Sequence, residues 1–103
     1  MTVTFISHSD CGRHDTGWGH PEHVGRLRGI TRALRNDAEL LMRVDQREGR
    51  PATVDELALA HDAGYVESVR AMAAGGGGRF DADTVVSEVS WSAAFSGAGC
   101  VLE

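Results

Sequence analysis

A basic stripe, a long apolar run and paired cysteines are all missing from this sequence, and each absence removes a class of function. Lysine and arginine together number 10 against 15 acidic residues, a formal charge of −5, and the arginines are dispersed along helical segments. Nucleic-acid phosphates would meet no continuous basic track, so direct nucleic-acid binding is not expected. No apolar run approaches the ~20 residues that span a bilayer, and no membrane association is expected. The opening MTVTFISHSD lacks the basic region, apolar stretch and small-residue cleavage site of a secretory leader. Only two cysteines are present, Cys11 and Cys100, at opposite ends with no partner spacing. They read as free thiols of a reducing compartment, which makes the expected location cytoplasmic. Aromatics are sparse at 6%, yet 42% hydrophobic residues suit a folded chain rather than a disordered one.

Common catalytic signatures are missing too. There is no Gly-x-Ser-x-Gly elbow, and neither cysteine has an oriented histidine partner in sequence. The glycine run 75–78 is not followed by Lys-Ser/Thr, so it reads as a flexible surface loop rather than a phosphate cradle.

What is present is a succession of helical segments with few strands. The β-branched and aromatic run 3–6 predicts a strand that delivers the chain into a polar loop, 7–20, punctuated by Asp10, Gly12, Asp15 and Gly17. Pro21 followed by Glu22 predicts a helix start, because proline suits the first helical position and the dipole favours an acid there. On a wheel of about 100° per residue, Val24, Leu27, Ile30, Ala33 and Leu34 share one half and Arg28, Arg32 and Arg35 the other. Arg26 falls inside the apolar arc. It either snorkels at the core edge, the plainer reading, or points inward, where its donors need a carboxylate, carbonyl or wet cavity.

Asn36-Asp37 loosens this helix, and 42–44 could form a second strand. Thr53 and Glu56 make a capping box for a short helix through Ala60, and Asp62 caps another carrying Tyr65, Val66, Val69, Met72 and Ala73 on one face. Ser90 caps the last segment, where Trp91, Ala94, Phe95, Ala98 and Leu102 recur at helical spacing. Gly97, Ala98 and Gly99 would let this helix approach a neighbour closely. The pattern is still running at Leu102 without a stop signal, and two strand candidates are too few for an independent sheet. The expectation is an incomplete domain.

The cluster His8, Cys11, His14, His20 and His23 superficially resembles a zinc site, but the ligands are scattered through competing turns. Hydrogen bonding within the loop is the plainer expectation. His61, just before a helix cap, reads as a loop histidine rather than a base.

His14-Asp15-Thr16-Gly17, then Gly19-His20-Pro21-Glu22 with Arg26-Leu27 one turn on, resembles the first loop and helix of the histone deacetylase superfamily. The bacterial and class II-like branch, with its acetoin-utilisation-type and acetylpolyamine deacetylases, is the most similar. The resemblance continues in order through Pro51-Ala52-Thr53, Glu56-Leu57, His61, Tyr65-Val66, Asp81-Ala82-Asp83-Thr84, Ser87, Ser90-Trp91, Ala93-Ala94 and Gly99.

This resemblance implies an α/β fold: the N-terminal part of an arginase/deacetylase-like three-layer α/β/α architecture with a mainly parallel sheet. Residues 1–103 would be an N-terminal fragment of a single deacetylase domain. The implied activity is zinc-dependent hydrolysis of an acyl amide, with Zn2+ held by two aspartates and a histidine and a histidine pair in acid–base work, none of which can be matched here. No catalytic or metal-ligating residue is therefore assigned, and the fragment is not expected to be active alone. His20, Pro21 and Glu22 match the loop bordering the substrate channel, and Arg26 matches an arginine lining an internal cavity, which favours its inward reading. Ala63 stands where some relatives place an aspartate or serine that binds the substrate backbone. The implied substrate is a small acylated amine or an acyl-lysine, with Ala63 favouring the former. The alternative is a non-catalytic truncated paralogue, or a small metal-binding or interaction module using the histidine loop.

Overall fold

In a computed structural model that describes residues 3–103, the chain begins with strand β1 (Val3–Ser7) and a 3-10 turn, Ser9–Arg13. Helices α1 (Gly25–Asn36) and α2 (Ala38–Met42) then carry it back to β2 (Val44–Glu48), which pairs parallel to β1 with Val3 opposite Val44 and Ser7 opposite Glu48. Helices α3 (Val54–Leu57) and α4 (Ala63–Ala74) follow. An antiparallel hairpin of β3 (Gly77–Arg79) and β4 (Val85–Ser87) leads into α5 (Ser90–Leu102).

The predicted caps at Thr53 and Asp62 form. Thr53 and Glu56 exchange both bonds of a capping box, and the Asp62 carboxylate accepts the Gly64 amide. Other boundaries move for identifiable reasons. Helix α1 starts at Gly25 rather than Pro21, because His20 and His23 each accept the amide two residues on and hold 20–24 in successive turns. Met42 closes α2, whose first turn is capped by the Asp37 carboxylate on the Leu40 amide, so the second strand lies two residues later than the apolar pattern implied. Its sequence, Val-Asp-Gln-Arg-Glu, has little strand character, and the register with β1 holds it.

Two further expectations are corrected. Part of the glycine run is strand: Gly77, at φ 105°, lies against β4 where a Cβ would come 2.5 Å from the Val86 carbonyl oxygen. In α5, Val89 rather than Ser90 holds the cap position, and the buried face is the small one: Ser90, Ala93, Ser96 and Gly99. A Cβ on Gly99 would lie 1.6 Å from the Arg50 carbonyl oxygen, so close backbone approach selects this face over the bulkier Trp91–Phe95 one. The Ala52 amide donates to the Phe95 carbonyl at 2.9 Å and fastens the 49–52 segment there.

The interior is thin. Its buried hydrophobic residues are Ala52, Val66, Ala73, Val86 and Ala93, while Leu27, Ile30, Leu40 and Tyr65 are exposed. The accessible surface is 7065 Å², about a quarter above the ~5600 Å² expected for a self-contained monomer of 11.0 kDa. Between α1 and the sheet lies an open cleft of about 1040 Å³ lined by Phe5, Ile6, Leu27 and Ile30. Parallel strands are ordinarily covered on both faces, but this pair is largely exposed and has no third strand among the described residues. No helix of the described residues is long and apolar enough to cross a membrane.

Candidate substrate-channel loop

Residues 14–24 carry most of the positions singled out from sequence, and short-range polar contacts shape them. The Asp15 carboxylate accepts the Gly17 amide at 2.9 Å in an Asx turn, with Gly17 at φ 85°. The Thr16 hydroxyl donates to the Glu22 carbonyl at 3.1 Å and closes the loop on itself. Trp18 lies 5.1 Å from the His23 ring, and the Arg28 guanidinium stands 5.8 Å from the Trp18 centroid. Gly25 makes this possible, since a Cβ there would meet Trp18 at 2.7 Å.

His20 ties the loop to the far end of the chain. Its Nδ1 accepts the Glu22 amide at 3.0 Å and must be unprotonated, so Nε2–H donates to the Asp83 carbonyl at 2.7 Å. That carbonyl is fixed in turn by Asp81, whose Oδ1 accepts the Asp83 and Thr84 amides at 2.8 Å. Those bonds hold the Asp81 carboxyl below its usual range.

A second tie lies beside it. Ser90 Oγ accepts the Ser87 amide at 2.7 Å and is also hydrogen-bonded to His14 Nδ1 at 2.6 Å and to Ser87 Oγ at 3.0 Å. The Asp15 amide reaches Ser87 Oγ at 3.4 Å. In the sequence Asp83 and Ser87 stand out only as family-matching positions, and Ser90 as such a position and a helix cap. Asp81-x-Asp83-Thr84, an Asx-turn pattern, was the local signal that this hairpin presents a carbonyl, but nothing in sequence names its partner.

The structure thus brings His20, Pro21 and Glu22 together on an open surface loop. Arg26 joins them differently from the expectation. Its side chain is 52% exposed and pairs with Glu22, itself 62% exposed, so it lines no enclosed cavity among the described residues. The physical reason is that Leu27 and Ile30, its neighbours on the apolar arc, also face solvent; on an uncovered helix face the guanidinium takes the carboxylate one turn back.

The chemistry available here is binding and shaping rather than bond cleavage. Among the described residues no three His, Cys, Asp or Glu side chains form a set that could hold a metal. The loop histidines are separately engaged, His8 with the Asp10 amide, His14 with Ser90, His20 with Asp83 and Glu22, and His23 with the Gly25 amide. These residues do not fit a zinc centre. The His61 ring lies 5.6 Å from that of Tyr65, tilted by 32°, beside the Asp62 cap.

The helical segments and the parallel strand pair are those of an α/β fold of the deacetylase type. The chain belongs to the histone deacetylase domain family, which matches residues 20–103. A "Probable deacetylase" of Methanothermobacter thermautotrophicus is 36% identical over 99 residues, covering 96% of this chain and 28% of that protein. The crystal structure of the HDA15 HD domain superposes with a TM-score of 0.85 at 26% identity, covering 96% of this chain and 29% of that one. The chain therefore spans under a third of the length of either.

Proposed function

We propose that residues 1–103 are the amino-terminal part of a zinc-dependent deacetylase domain whose metal ligands and acid–base groups lie in further sequence. The observation that carries this reading is the uncovered surface: a parallel strand pair, a half-exposed α1 face and an accessible area well above that of a self-contained monomer. Together with a match to 28% of a probable deacetylase, it favours a piece of a larger domain over a small module. A metal-binding module using the histidine loop is less well supported, because those rings are already engaged. The two thiols fit a cytoplasmic setting.

In this reading a zinc ion, held by residues outside 1–103, would supply Lewis-acid chemistry to the acyl carbonyl and to water. His20, Pro21 and Glu22 border the substrate entrance, shaped by the His20–Asp83 tie, and Arg26 becomes covered when the remainder of the domain packs on α1. The substrate is a small acylated amine rather than a peptide. Ala63, exposed at the first position of α4, presents a methyl that accepts no hydrogen bond, and one oxygen of the adjacent Asp62 is occupied by the Gly64 amide.

The test is acetate release by the product of the complete reading frame, offered an N-acetylated diamine and an acetyl-lysine peptide. Zinc-dependent release, faster from the diamine, is expected, with Ala63→Asp shifting preference towards the peptide. Absence of release from both by the folded, zinc-supplied protein would overturn the reading.

A further inference from the structure

Cys11 and Cys100 stand near opposite ends of the sequence, yet the fold brings them to one cleft, on a 3-10 turn and a helix packed against each other. Cys11 lies in the 3-10 turn packed along α5, with its sulfur 3.9 Å from the Ala93 carbonyl oxygen. Cys100 follows two turns further along that helix. Its sulfur is confined on another side by the backbone after β2, where a Cβ on Gly49 would come within 2.6 Å of it. Both side chains are half-buried and line the same open cleft, so small solutes reach them.

We propose that Cys11 and Cys100 form a reversible dithiol–disulfide site, oxidised by a small-molecule disulfide such as that of glutathione, which staples the 3-10 turn to α5. One cysteine thiolate attacks the small disulfide, forming a mixed disulfide and expelling one small thiolate. The other cysteine then attacks the protein sulfur of that mixed disulfide, closing the Cys11–Cys100 bond and expelling the second. The two protons lost by the cysteines pass to the leaving thiolates, and two electrons pass from the protein to the small disulfide. Burial, and then the neighbouring Cys100 sulfur, push the Cys11 thiol up, which disfavours its thiolate and slows its attack. Disulfides that are partly exposed are the labile, regulatory kind in a reducing compartment. Closing this one fixes the turn that leads into His14 and its Ser90 tie. The inference stands on the packing of this chain and does not depend on the deacetylase reading.

The experiment is to equilibrate the full chain in glutathione redox buffers, quench with acid, and read intact mass and peptide maps. The expected product is a monomer lighter by two hydrogens, with the Cys11 and Cys100 peptides cross-linked and dithiothreitol restoring both thiols. The second step should run at least ~10-fold faster in native buffer than in concentrated urea, because the fold supplies the effective concentration. Cys100→Ser should instead accumulate the glutathione adduct at Cys11. Independent adducts on both cysteines of the unsubstituted chain, or a cross-link that forms no faster in native buffer than in urea, would overturn the proposal.

Discussion

Replacing Gly99 with alanine drives a methyl into backbone that cannot rotate aside. The added carbon would lie 1.6 Å from the Arg50 carbonyl oxygen and 2.8 Å from the Ala52 nitrogen, so the 49–52 segment must lift off α5. Overpacking of this kind costs up to about 3 kcal/mol. Losing the Ala52 amide to Phe95 carbonyl bond adds about 1 kcal/mol, and better helix propensity returns about 1 kcal/mol. The net loss is about 3 kcal/mol, roughly a hundredfold in the folding constant. Gly97 is the internal control: nothing lies within 4 Å of its added Cβ, so Gly97→Ala should stabilise by up to about 1 kcal/mol. Urea unfolding followed by far-UV circular dichroism, at matched protein concentration, reads both. Equal midpoint changes of the same sign for the two alanines would refute the close approach of α5 to residues 50–52.

Other consequences are as specific. Fork bonds from the Arg50 guanidinium, with the Thr53 amide, hold the Glu56 carboxyl down at about 2 against its ordinary 4.5. A depressed carboxyl contributes stability above its unfolded value, so the advantage over Glu56→Gln should be full above pH 4.5 and vanish as pH falls towards 2, shrinking also with added salt. His20→Ala should cost about 1 kcal/mol and speed amide exchange at Asp83 and in the 14–24 loop, while nitrogen NMR of the unsubstituted ring should show the proton on Nε2. Arg26→Gln should change the isolated chain's unfolding free energy by less than about 0.5 kcal/mol, since its pair with Glu22 is exposed; a larger loss would mean an enclosed guanidinium.

Local chemistry was legible in the sequence where it is self-contained. Thr53 with Glu56 and Asp62 with Gly64 announce their caps because both partners lie within three residues. Other features depend on distant partners. The 20–24 turns compete with an otherwise sound helix start, and only the histidine rings tip the balance. Part of the glycine run becomes strand because β4 passes beside it, and the polar β2 because β1 supplies its bonds. The inner face of α5 is written in small residues, which a search for large apolar ones overlooks. In the candidate loop His20, Pro21 and Glu22 are adjacent in the sequence itself; the ties to Asp83 and Ser90, and the convergence of Cys11 and Cys100 on one cleft, were not legible. Arg26 is exposed here because the apolar arc beside it has no cover among the described residues, and the inward reading implied by the family resemblance requires that cover.

The central claim is that the strand pair and the open faces of α1 and α5 are built to be packed against more of a deacetylase domain. Sedimentation velocity of the purified 103-residue chain across a concentration series tests this most directly. Concentration-dependent association, with binding of an apolar dye, is the predicted result, because exposed apolar faces of this extent seek cover. A concentration-independent monomer of 11.0 kDa that leaves the dye unbound and melts in one cooperative step would contradict it.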